Sequence, residues 1–342
     1  MGKKSQFTIR DADHQIIGNN DNIIQEIAYE FLDEYNQSPL QHLYIPDDPN
    51  EFLADFGGLP HPYKKDSNGM PQTVNEWTWY QLEAWGEQNT IMVSSNKVGK
   101  TTSFSIEDFQ SRLKKKHAGK NLLLVAQNQK MANEHLLDLK KMVRASPKYR
   151  QFLIERPDQE MFKEEKSKLE TMYIRNPWDP LRPSRILALG GSEASAYSWK
   201  NVDWIHMSDV SQLTSNNQKL FFGAMFSRLA NTDGVAKIET IPGAKEGEVW
   251  RIWKEIKGIK EKSDKPEDLA EDSFDLASTF KSIQVTVYDA RDAGLVTQNY
   301  IDKIKAMVDD YTFRQLFMAE FVEIANQWYQ EQWLKDGDYG AD

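Results

Sequence analysis

The residues best suited to chemistry in this chain lie between Thr90 and Thr102. Thr90-Ile91-Met92-Val93 is a short apolar and β-branched run, typical of a buried strand. Ser94 to Val98 follow as a small polar turn, and Gly99-Lys100-Thr101-Thr102 begins a predicted helix. A strand, a loop and Gly-Lys-Thr at the start of a helix form the usual arrangement for binding the phosphates of a nucleotide.

Each residue type in such a loop has its own chemical task. Backbone N–H groups and the helix dipole attract phosphate oxygens, and Gly99 leaves room for close approach. Lys100 would neutralise the β- and γ-phosphates of ATP, and the Thr101 hydroxyl would coordinate Mg²⁺. Ser94 stands where the consensus G-x-x-x-x-G-K-[ST] has its first Gly, and an ordinary strand–turn–helix is the alternative. The predicted nucleotide-binding residues here are Ser95, Asn96, Lys97, Val98, Gly99, Lys100, Thr101 and Thr102.

An acidic group follows a second apolar run, residues 202–207. Ligands of open α/β sheets bind at the carboxyl ends of the strands, which is where Ser208 and Asp209 would lie. A P-loop ATPase needs one group there to support Mg²⁺ and another to polarise the attacking water. We assign Asp209 as the catalytic carboxylate and Ser208 to the Mg²⁺ shell. Asp209 as a helix cap is the alternative, and Asp203, inside the strand, is the fallback acid.

Aromatic residues and a glutamine precede the phosphate-loop strand. In many P-loop motors an aromatic ring stacks on adenine and a Gln amide pairs with the edge of the base. Tyr80 and Gln81 are therefore predicted to bind the base, while Trp79 and Trp85 are equally well explained as core. Thr240 ends another predicted strand, where its hydroxyl can contact the γ-phosphate or the water.

Alternating apolar patterns supply the elements that position these groups. Predicted strands cover 90–93, 122–126, 185–189, 202–207, 236–240 and 283–287, and predicted helices cover 22–36, 129–144, 248–259 and 297–308, followed by a packing segment at 313–325. Turn formers in 45–75, and prolines and charges in 146–183, favour irregular backbone. Alternation of strands and helices predicts an α/β fold with a parallel sheet and crossover connections.

Composition narrows the class of protein. The 342 residues include 27% charged and 39% hydrophobic ones, which is ordinary for a soluble globular protein. No apolar run approaches the roughly 20 residues needed to cross a bilayer. The chain has no Cys, which excludes disulfides and thiolate zinc sites and suits a reducing compartment. A net charge of −10 argues against a uniformly basic surface but leaves room for a local basic patch that binds nucleic acid.

Four segments, in order, resemble the ATPase domain of viral large terminases of the tailed-phage type, the motors that pack DNA into a procapsid. S-N-K-V-G-K-T-T at 95–102 is similar to the family's phosphate loop, and W-I-H-M-S-D-V at 204–210 to its acidic strand. E-T-I-P-G at 239–243 is similar to its coupling segment, and F-R-Q-L-F-M-A-E-F-V at 313–322 to the segment that closes the domain.

The resemblance implies a RecA-like, ASCE-type P-loop sheet flanked by helices, with an N-terminal helical extension and a small C-terminal helical lid or linker. It implies an ATPase that uses ATP and Mg²⁺ to drive packaging of double-stranded DNA. The implied partners are the DNA, the portal of the procapsid, the small terminase subunit and further copies of the chain. Those copies would form a ring on the procapsid, although isolated motors of this kind are often monomeric. The cytoplasm of the infected host cell is the expected location, and no membrane association is expected.

The resemblance also assigns roles to single residues. Lys97 stands where many relatives have Arg and would be the positive group supplied in cis, less rigid than a guanidinium. Thr240 would couple hydrolysis to the helices beyond it, and Lys200 is a candidate for a trans-acting finger. Asp209 is one methylene shorter than the family's Glu, a difference that bears on water activation.

The predicted domains are an N-terminal extension at 1–75, the ATPase core at 76–260, and the end of that core with the lid or linker at 261–342. The family also carries a nuclease domain with metal-binding carboxylates. Only about twenty residues follow Val322, too few for such a domain, so no nuclease activity is expected.

Two other functions remain open from the sequence. One is another DNA-stimulated P-loop ATPase, such as a helicase, although the chain has no D-E-x-[HD] box. The other is a nucleotide-dependent scaffold that binds ATP with little hydrolysis, a reading favoured by Ser208 in place of an acid. Phosphate release measured with and without DNA separates these functions.

Overall fold

A computed structural model of the chain describes residues 8–10, 16–19, 43–154, 170–191, 200–213, 215–229, 232–259 and 279–323. The chain divides into two units, residues 1–45 and 46–342. In the first unit, strands β1 (Thr8–Arg10) and β2 (Ile16–Asn19) pair antiparallel. The helix predicted over 22–36 lies outside the described residues.

Residues 45–75, expected to be irregular, contain a helix and a hairpin. Helix α1 (Pro49–Phe56) begins with a proline, whose missing N–H costs nothing at that position, and ends at Gly57 with φ 102°. Strands β3 (Leu59–Lys65) and β4 (Pro71–Val74) then pair antiparallel. The prolines and glycines of this segment are therefore helix boundaries and turns between short elements.

A sheet of eight strands, counted over the described residues, is the framework of the second unit. From one edge to the other its strands are β12 (Lys281–Val285), β5 (Thr90–Ser94), β11 (Val235–Thr240), β10 (Val202–Ser208), β6 (Asn121–Ala126), β9 (Asp179–Gly190), β8 (Thr171–Asn176) and β7 (Leu153–Ile154). Neighbours from β12 to β9 run parallel, while β8 pairs antiparallel with both β9 and β7.

The parallel sheet predicted from alternating strands and helices is confirmed. The structure adds the antiparallel strand β8 inside 146–183, a segment expected to be irregular. The predicted strand over 283–287 ends at Val285, because Thr286 caps the next helix in a reciprocal pair with Asp289.

Helices cover both faces of the sheet. None of those in the described ranges is long and apolar enough to cross a membrane. The remaining helices are α2 (Trp79–Ala84), α3 (Lys100–Leu113), α4 (Gln129–Ala145), α5 (Ser215–Leu229), α6 (Gly247–Ile256), α7 (Val287–Asp292), α8 (Gln298–Met307) and α9 (Asp310–Leu316).

The apolar segment expected to pack over 313–325 begins in the last helix, α9. That helix ends at Leu316, and Ala319 has φ 54°. The chain beyond it returns toward the sheet, where Val322 forms a parallel bridge with Ala244. The apolar residues of this segment are buried by that return, so their spacing does not indicate a longer helix.

The core lies on both faces of the sheet because successive strand residues point to opposite sides. Ile91 and Val93 of β5 pack with β10, α5 and α6, and Met92 packs on the other face with Tyr80 and Phe104. Helix α3 is buried on nearly all sides, so its polar residues are paired internally. These pairs are Glu107 with Lys237, Asp108 with His206, and Arg112 with Asp203.

Candidate functional site

The loop between β5 and α3 ends in a backbone conformation that favours glycine. Gly99 precedes α3 with φ 77°, and a Cβ atom there would lie 3.0 Å from the amide nitrogen of Gln81. The first N–H groups of α3 have no carbonyl of their own helix to bond, and the helix dipole is positive at this end. This end of α3 therefore suits an anion, as the Gly-Lys-Thr pattern predicts.

The lysine and the aspartate assigned from the sequence face each other. Lys100, the first residue of α3, has its Nζ atom 3.5 Å from Oδ1 of Asp209 and 3.9 Å from Oε2 of Glu239. Asp209 follows β10 directly, in the left-handed conformation with φ 51°. A non-glycine residue held in that conformation is a feature found often at functional sites.

Glu239 is a residue that sequence reasoning missed. It lies in β11, the strand between β5 and β10, and is fully buried opposite Ser208. Ser208 Oγ donates a hydrogen bond of 2.8 Å to its Oε1, and His206 Nε2 lies 3.4 Å from that oxygen. The sequence carries part of the signal, an acidic residue directly before Thr240, but only the strand order places that residue opposite Ser208.

The two carboxyl groups differ in their electrostatic surroundings. Burial raises the pKa of Asp209, an effect that Lys100 opposes and the charge of Glu239 reinforces. Burial would also raise the pKa of Glu239, but Lys100 and His206 outweigh it and lower that pKa to about 2. Carboxyl groups whose pKa values are driven apart in this way can take different chemical roles.

A buried histidine carries positive charge behind Glu239. Burial alone would lower the pKa of His206, whereas Asp108 and Glu239 raise it to about 10. His206 Nδ1 lies 2.6 Å from Asp108 Oδ2, and Trp204 Nε1 donates to Asp108 Oδ1 at 2.9 Å. The positive charge of His206 partly offsets the burial of two carboxylates.

Thr240, predicted to sense the γ-phosphate, ends β11 and connects two parts of the site. Its hydroxyl donates to Ser211 Oγ at 2.6 Å, and Ser211 in turn donates to the carbonyl of Ile241. Ser211 belongs to the single 3₁₀ turn Val210–Gln212 that directly follows Asp209. The end of β11 is thereby joined to the segment that carries the assigned catalytic carboxylate.

A cavity of about 970 Å³ lies on the other side of the phosphate loop. Lys97, Gly99 and Thr102 border it together with the β3–β4 hairpin, Trp79 and Leu295. It does not include Lys100 or the two carboxylates, so it suits the base and sugar of a nucleotide better than the phosphates.

The structure corrects the residue expected to stack on the base. Tyr80 is fully buried, and its hydroxyl donates to the carbonyl of Val98 at 2.9 Å, so its ring cannot face a ligand. Trp79 borders the cavity instead, with 51% of its surface exposed. Gln81 also borders the cavity, but its amide donates to the Gly99 carbonyl at 3.3 Å and its oxygen accepts from Thr78.

The remaining loop residues are of two kinds: some hold the loop through backbone hydrogen bonds, and others have exposed or half-buried side chains. The N–H groups of Ser95 and Asn96 donate to the carbonyls of Val285 and Leu316, so they hold the loop in place rather than a phosphate. Lys97 is exposed, with φ 66°, and Thr101 and Thr102 are half-buried in the first turn of α3.

Two other predicted residues lie at the amino-terminal end of β10, away from the carboxyl ends of the strands where the site is. Lys200 precedes β10, and its carbonyl accepts from the side chain of Asn121 at the start of β6. Asp203, the fallback acid, is paired with Arg112 at 2.7 Å and with His117 at 2.6 Å. Neither residue takes part in the site built by its own chain.

The site can be tested for its fit to Mg²⁺. Over the described residues, no group of three or more His, Cys, Asp or Glu side chains could hold a metal ion. Asp209 Oδ1 and Glu239 Oε2 are nevertheless buried without a hydrogen-bond partner. Two unpartnered carboxylate oxygens fit a cation that takes its other ligands from phosphates, hydroxyls and water, as Mg²⁺ commonly does.

Comparison with known proteins gives a result for structure and none for sequence. No family model and no curated protein matches the chain. The ATPase domain of the large terminase of Thermus phage P74-26 matches with a TM-score of 0.52 at 15% identity, covering 82% of this chain and 100% of that one.

The large terminase of bacteriophage HK97 also matches with a TM-score of 0.52, at 11% identity over 79% of this chain. The match covers 54% of that protein, so this chain spans about half its length. At such low identity the likeness is one of fold, and it agrees with the fold expected from the four resembling segments. The chain has the RecA-like fold of the ATPase domains of phage large terminases.

Proposed function

We propose that this chain is the ATP-hydrolysing motor domain of a terminase large subunit, which drives double-stranded viral DNA into a procapsid. The observation that carries this function is the position of Lys100 at the head of α3, within 4 Å of Asp209 and Glu239. The shared fold with two phage large terminases supports the same conclusion.

Binding begins at the positive end of α3. The triphosphate replaces Asp209 and Glu239 as the ion-pair partner of Lys100. It also accepts hydrogen bonds from the first N–H groups of the helix. Mg²⁺, when bound, neutralises charge on the β- and γ-phosphates, and the Thr101 hydroxyl and the Ser208–Asp209 segment are the residues that hold it. Trp79 stacks on the base, and Gln81 supports both the base site and the loop.

Hydrolysis needs a base for the attacking water, and Asp209 takes that role. Its side chain is 18% exposed, so water can reach it, and burial shifts its pKa upward toward a value useful in proton transfer. Lys97 adds positive charge beside the phosphates. Thr240 couples hydrolysis to the turn after Asp209 through its hydrogen bond to Ser211, and to the helices that follow β11 in the chain.

The partners of this motor are the DNA, the portal of the procapsid and the small terminase subunit. Copies of the chain form a ring when assembled on the procapsid, in the cytoplasm of the infected cell. Lys200 lies before the amino-terminal end of β10, away from the site of its own chain. A catalytic role for Lys200 therefore requires the site of a neighbouring subunit.

Phosphate release from ATP, measured with and without double-stranded DNA, tests this function. The wild-type chain is expected to hydrolyse ATP and to respond to DNA, and Lys100→Ala to lose turnover while keeping its circular dichroism spectrum. Lys303→Ala, an exposed lysine of α8, is the matched control and should behave as the wild type.

Each other result points elsewhere. Nucleotide binding without phosphate release would favour the scaffold function. DNA-stimulated hydrolysis together with strand separation would favour a helicase. Turnover by Lys100→Ala equal to that of the wild type would remove the site assignment.

A further inference from the structure

Glu239 is a carboxylate in a costly position. None of its surface is exposed, yet only Oε1 is hydrogen-bonded, and Oε2 is buried without a partner. Burying a polar atom without a hydrogen-bond partner costs free energy, so such an atom in a folded protein calls for an explanation. Binding of a ligand to that atom is one such explanation. Lys100 Nζ lies 3.9 Å from Oε2, too far for a hydrogen bond.

Several neighbours fix the direction of this side chain. Ser208 Oγ donates to Oε1 at 2.8 Å, and His206 Nε2 lies 3.4 Å from the same atom. His206 is itself fixed by Asp108, which Trp204 holds in turn. Because both contacts of Glu239 use Oε1, the free oxygen is directed toward the head of α3.

The position of Ser208 explains what Glu239 would add. In the sequence Ser208 stands where a P-loop ATPase usually has its first acidic group, and a neutral hydroxyl is a weaker ligand for a hard cation than a carboxylate. Glu239 is the residue directly opposite Ser208 in the parallel register of β10 and β11. A carboxylate from β11 therefore reaches the same place as one from β10 would.

We propose that Glu239 supplies the anionic ligand of the Mg²⁺ shell that β10 lacks at Ser208, and that the Asp108–His206 pair is its positioning element. This assignment depends on the proposed ATPase function and refines its metal site. Water activation stays with Asp209, because Asp209 is partly open to solvent whereas Glu239 is closed off from it.

A charge pair with His206 alone would not require this geometry. A carboxylate serving only to neutralise His206 could place both oxygens near the imidazole or near Ser208. In the structure one oxygen makes both contacts, and the other shares the neighbourhood of Lys100 with Asp209 Oδ1, which is also unpartnered. The two oxygens that lack a hydrogen-bond donor thus come from β11 and from the residue after β10, and both approach Lys100 Nζ.

Binding of Mn²⁺ in the presence of a non-hydrolysable ATP analogue tests the assignment without any turnover. Electron paramagnetic resonance of free Mn²⁺ gives the affinity of the metal. Glu239→Gln should weaken it at least about tenfold, since loss of even an outer-shell partner of a metal ligand typically has an effect of that size. In the presence of EDTA, Glu239→Gln should bind the analogue with an affinity within about twofold of that of the wild type under the same conditions, since Lys100 and the helix N–H groups remain.

Three further variants separate a metal role from a folding role. Asp203→Asn removes another buried carboxylate of the same sheet, at the amino-terminal end of β10, where it pairs with Arg112. This variant should leave Mn²⁺ affinity unchanged. His206→Gln should weaken Mn²⁺ severalfold by loosening Glu239. The double variant S208D/E239Q returns the charge to β10 and should recover most of the lost affinity, which also keeps the test valid if Glu239→Gln alone folds poorly.

Failure of this assignment can be told from failure of the proposed function. Wild-type chain that binds no nucleotide, or binds it equally well with and without metal, would overturn the function and the assignment together. Wild-type chain that binds the metal–nucleotide complex, with Glu239→Gln and S208D/E239Q both binding Mn²⁺ equally tightly, would overturn the role of Glu239 alone.

Discussion

The side chains of Lys100 and Asp209 approach to 3.5 Å although their strands are not neighbours in the sheet. Lys100 follows β5 and Asp209 follows β10, and β11 lies between those two strands. They meet because parallel strands present their carboxyl ends at one edge, where the loop after each strand can reach across its neighbour. Glu239 completes the group from the strand in the middle.

Replacement of Asp209 by Asn should separate hydrolysis from binding. The amide cannot accept a proton from water, so kcat should fall by roughly 10²- to 10⁴-fold. Nucleotide affinity should be equal or tighter, because one negative charge facing the phosphates is removed. Single-turnover phosphate release and titration with a fluorescent nucleotide measure the two quantities.

Asp203→Asn is the matched control for that variant, since Asp203 is a buried carboxylate near the start of β10, the strand that Asp209 directly follows. The Asp203→Asn variant should be less stable because its ion pair with Arg112 is lost. The fraction of that variant that is folded should hydrolyse ATP with the kcat of the wild type. Equal losses of kcat in the two variants would mean that Asp209 acts through folding and not through chemistry.

Two adjacent aromatic residues should have opposite effects. Trp79→Ala should weaken nucleotide affinity by roughly 1–3 kcal/mol, the usual value of stacking an aromatic ring on a base, with little change in stability. Tyr80→Phe removes the hydrogen bond to the Val98 carbonyl and should cost about 1 kcal/mol of stability with little change in base affinity. Urea unfolding and nucleotide titration distinguish them, and a reversed pattern would reinstate Tyr80 as the stacking residue.

The sequence was sufficient to predict the strand, loop and helix around Gly99-Lys100-Thr101 and the strand that ends just before Asp209. Both are local patterns, a short apolar run followed by residues with restricted chemistry, and their meeting follows from the direction of parallel strands. Lys100 and Asp209 could be assigned because each stands directly at the end of such a run.

Three features depended on information that is not local. Trp79 and Tyr80 lie in a helix of six residues, too short for a periodic pattern to tell which ring is buried. Glu239 could be recognised only once β11 was found between β5 and β10, which depends on strand order. The hairpin of β3 and β4 carries prolines and glycines that indicate turns but not the pairing between them.

A pair of glycine substitutions should test the backbone of the phosphate loop. Gly99→Ala places a methyl group 3.0 Å from the Gln81 amide at a φ of 77°, so it should cost roughly 1–3 kcal/mol of stability and weaken nucleotide binding. Gly223→Ala, in the exposed face of α5 with open space around it, should gain roughly 0.5–1 kcal/mol. Thermal unfolding and nucleotide titration provide both readings, and a Gly99→Ala protein as stable as the wild type would show that the loop tolerates a different conformation.

Two buried histidines should give stability a dependence on pH with opposite signs. His206 has its pKa raised to about 10 in the folded chain, by Asp108 and Glu239 against the effect of burial. The folded state therefore holds a proton that the unfolded state loses above its own pKa of about 6.5. The stabilisation is complete below that pH and is lost as the pH rises toward 10.

His117 should act in the other direction. Burial, together with the charge of Arg112, lowers its pKa to about 4, in spite of its contact with Asp203. Between about pH 6.5 and pH 4, His117 is protonated in the unfolded chain but neutral in the folded one. The free energy of unfolding therefore decreases as the pH is lowered through that range. Urea unfolding from pH 4 to 10 should show that His206→Gln flattens only the alkaline side of the stability profile and His117→Gln only the acidic side. Should both variants change the same side, one of the two histidines would have to carry the opposite charge in the folded protein.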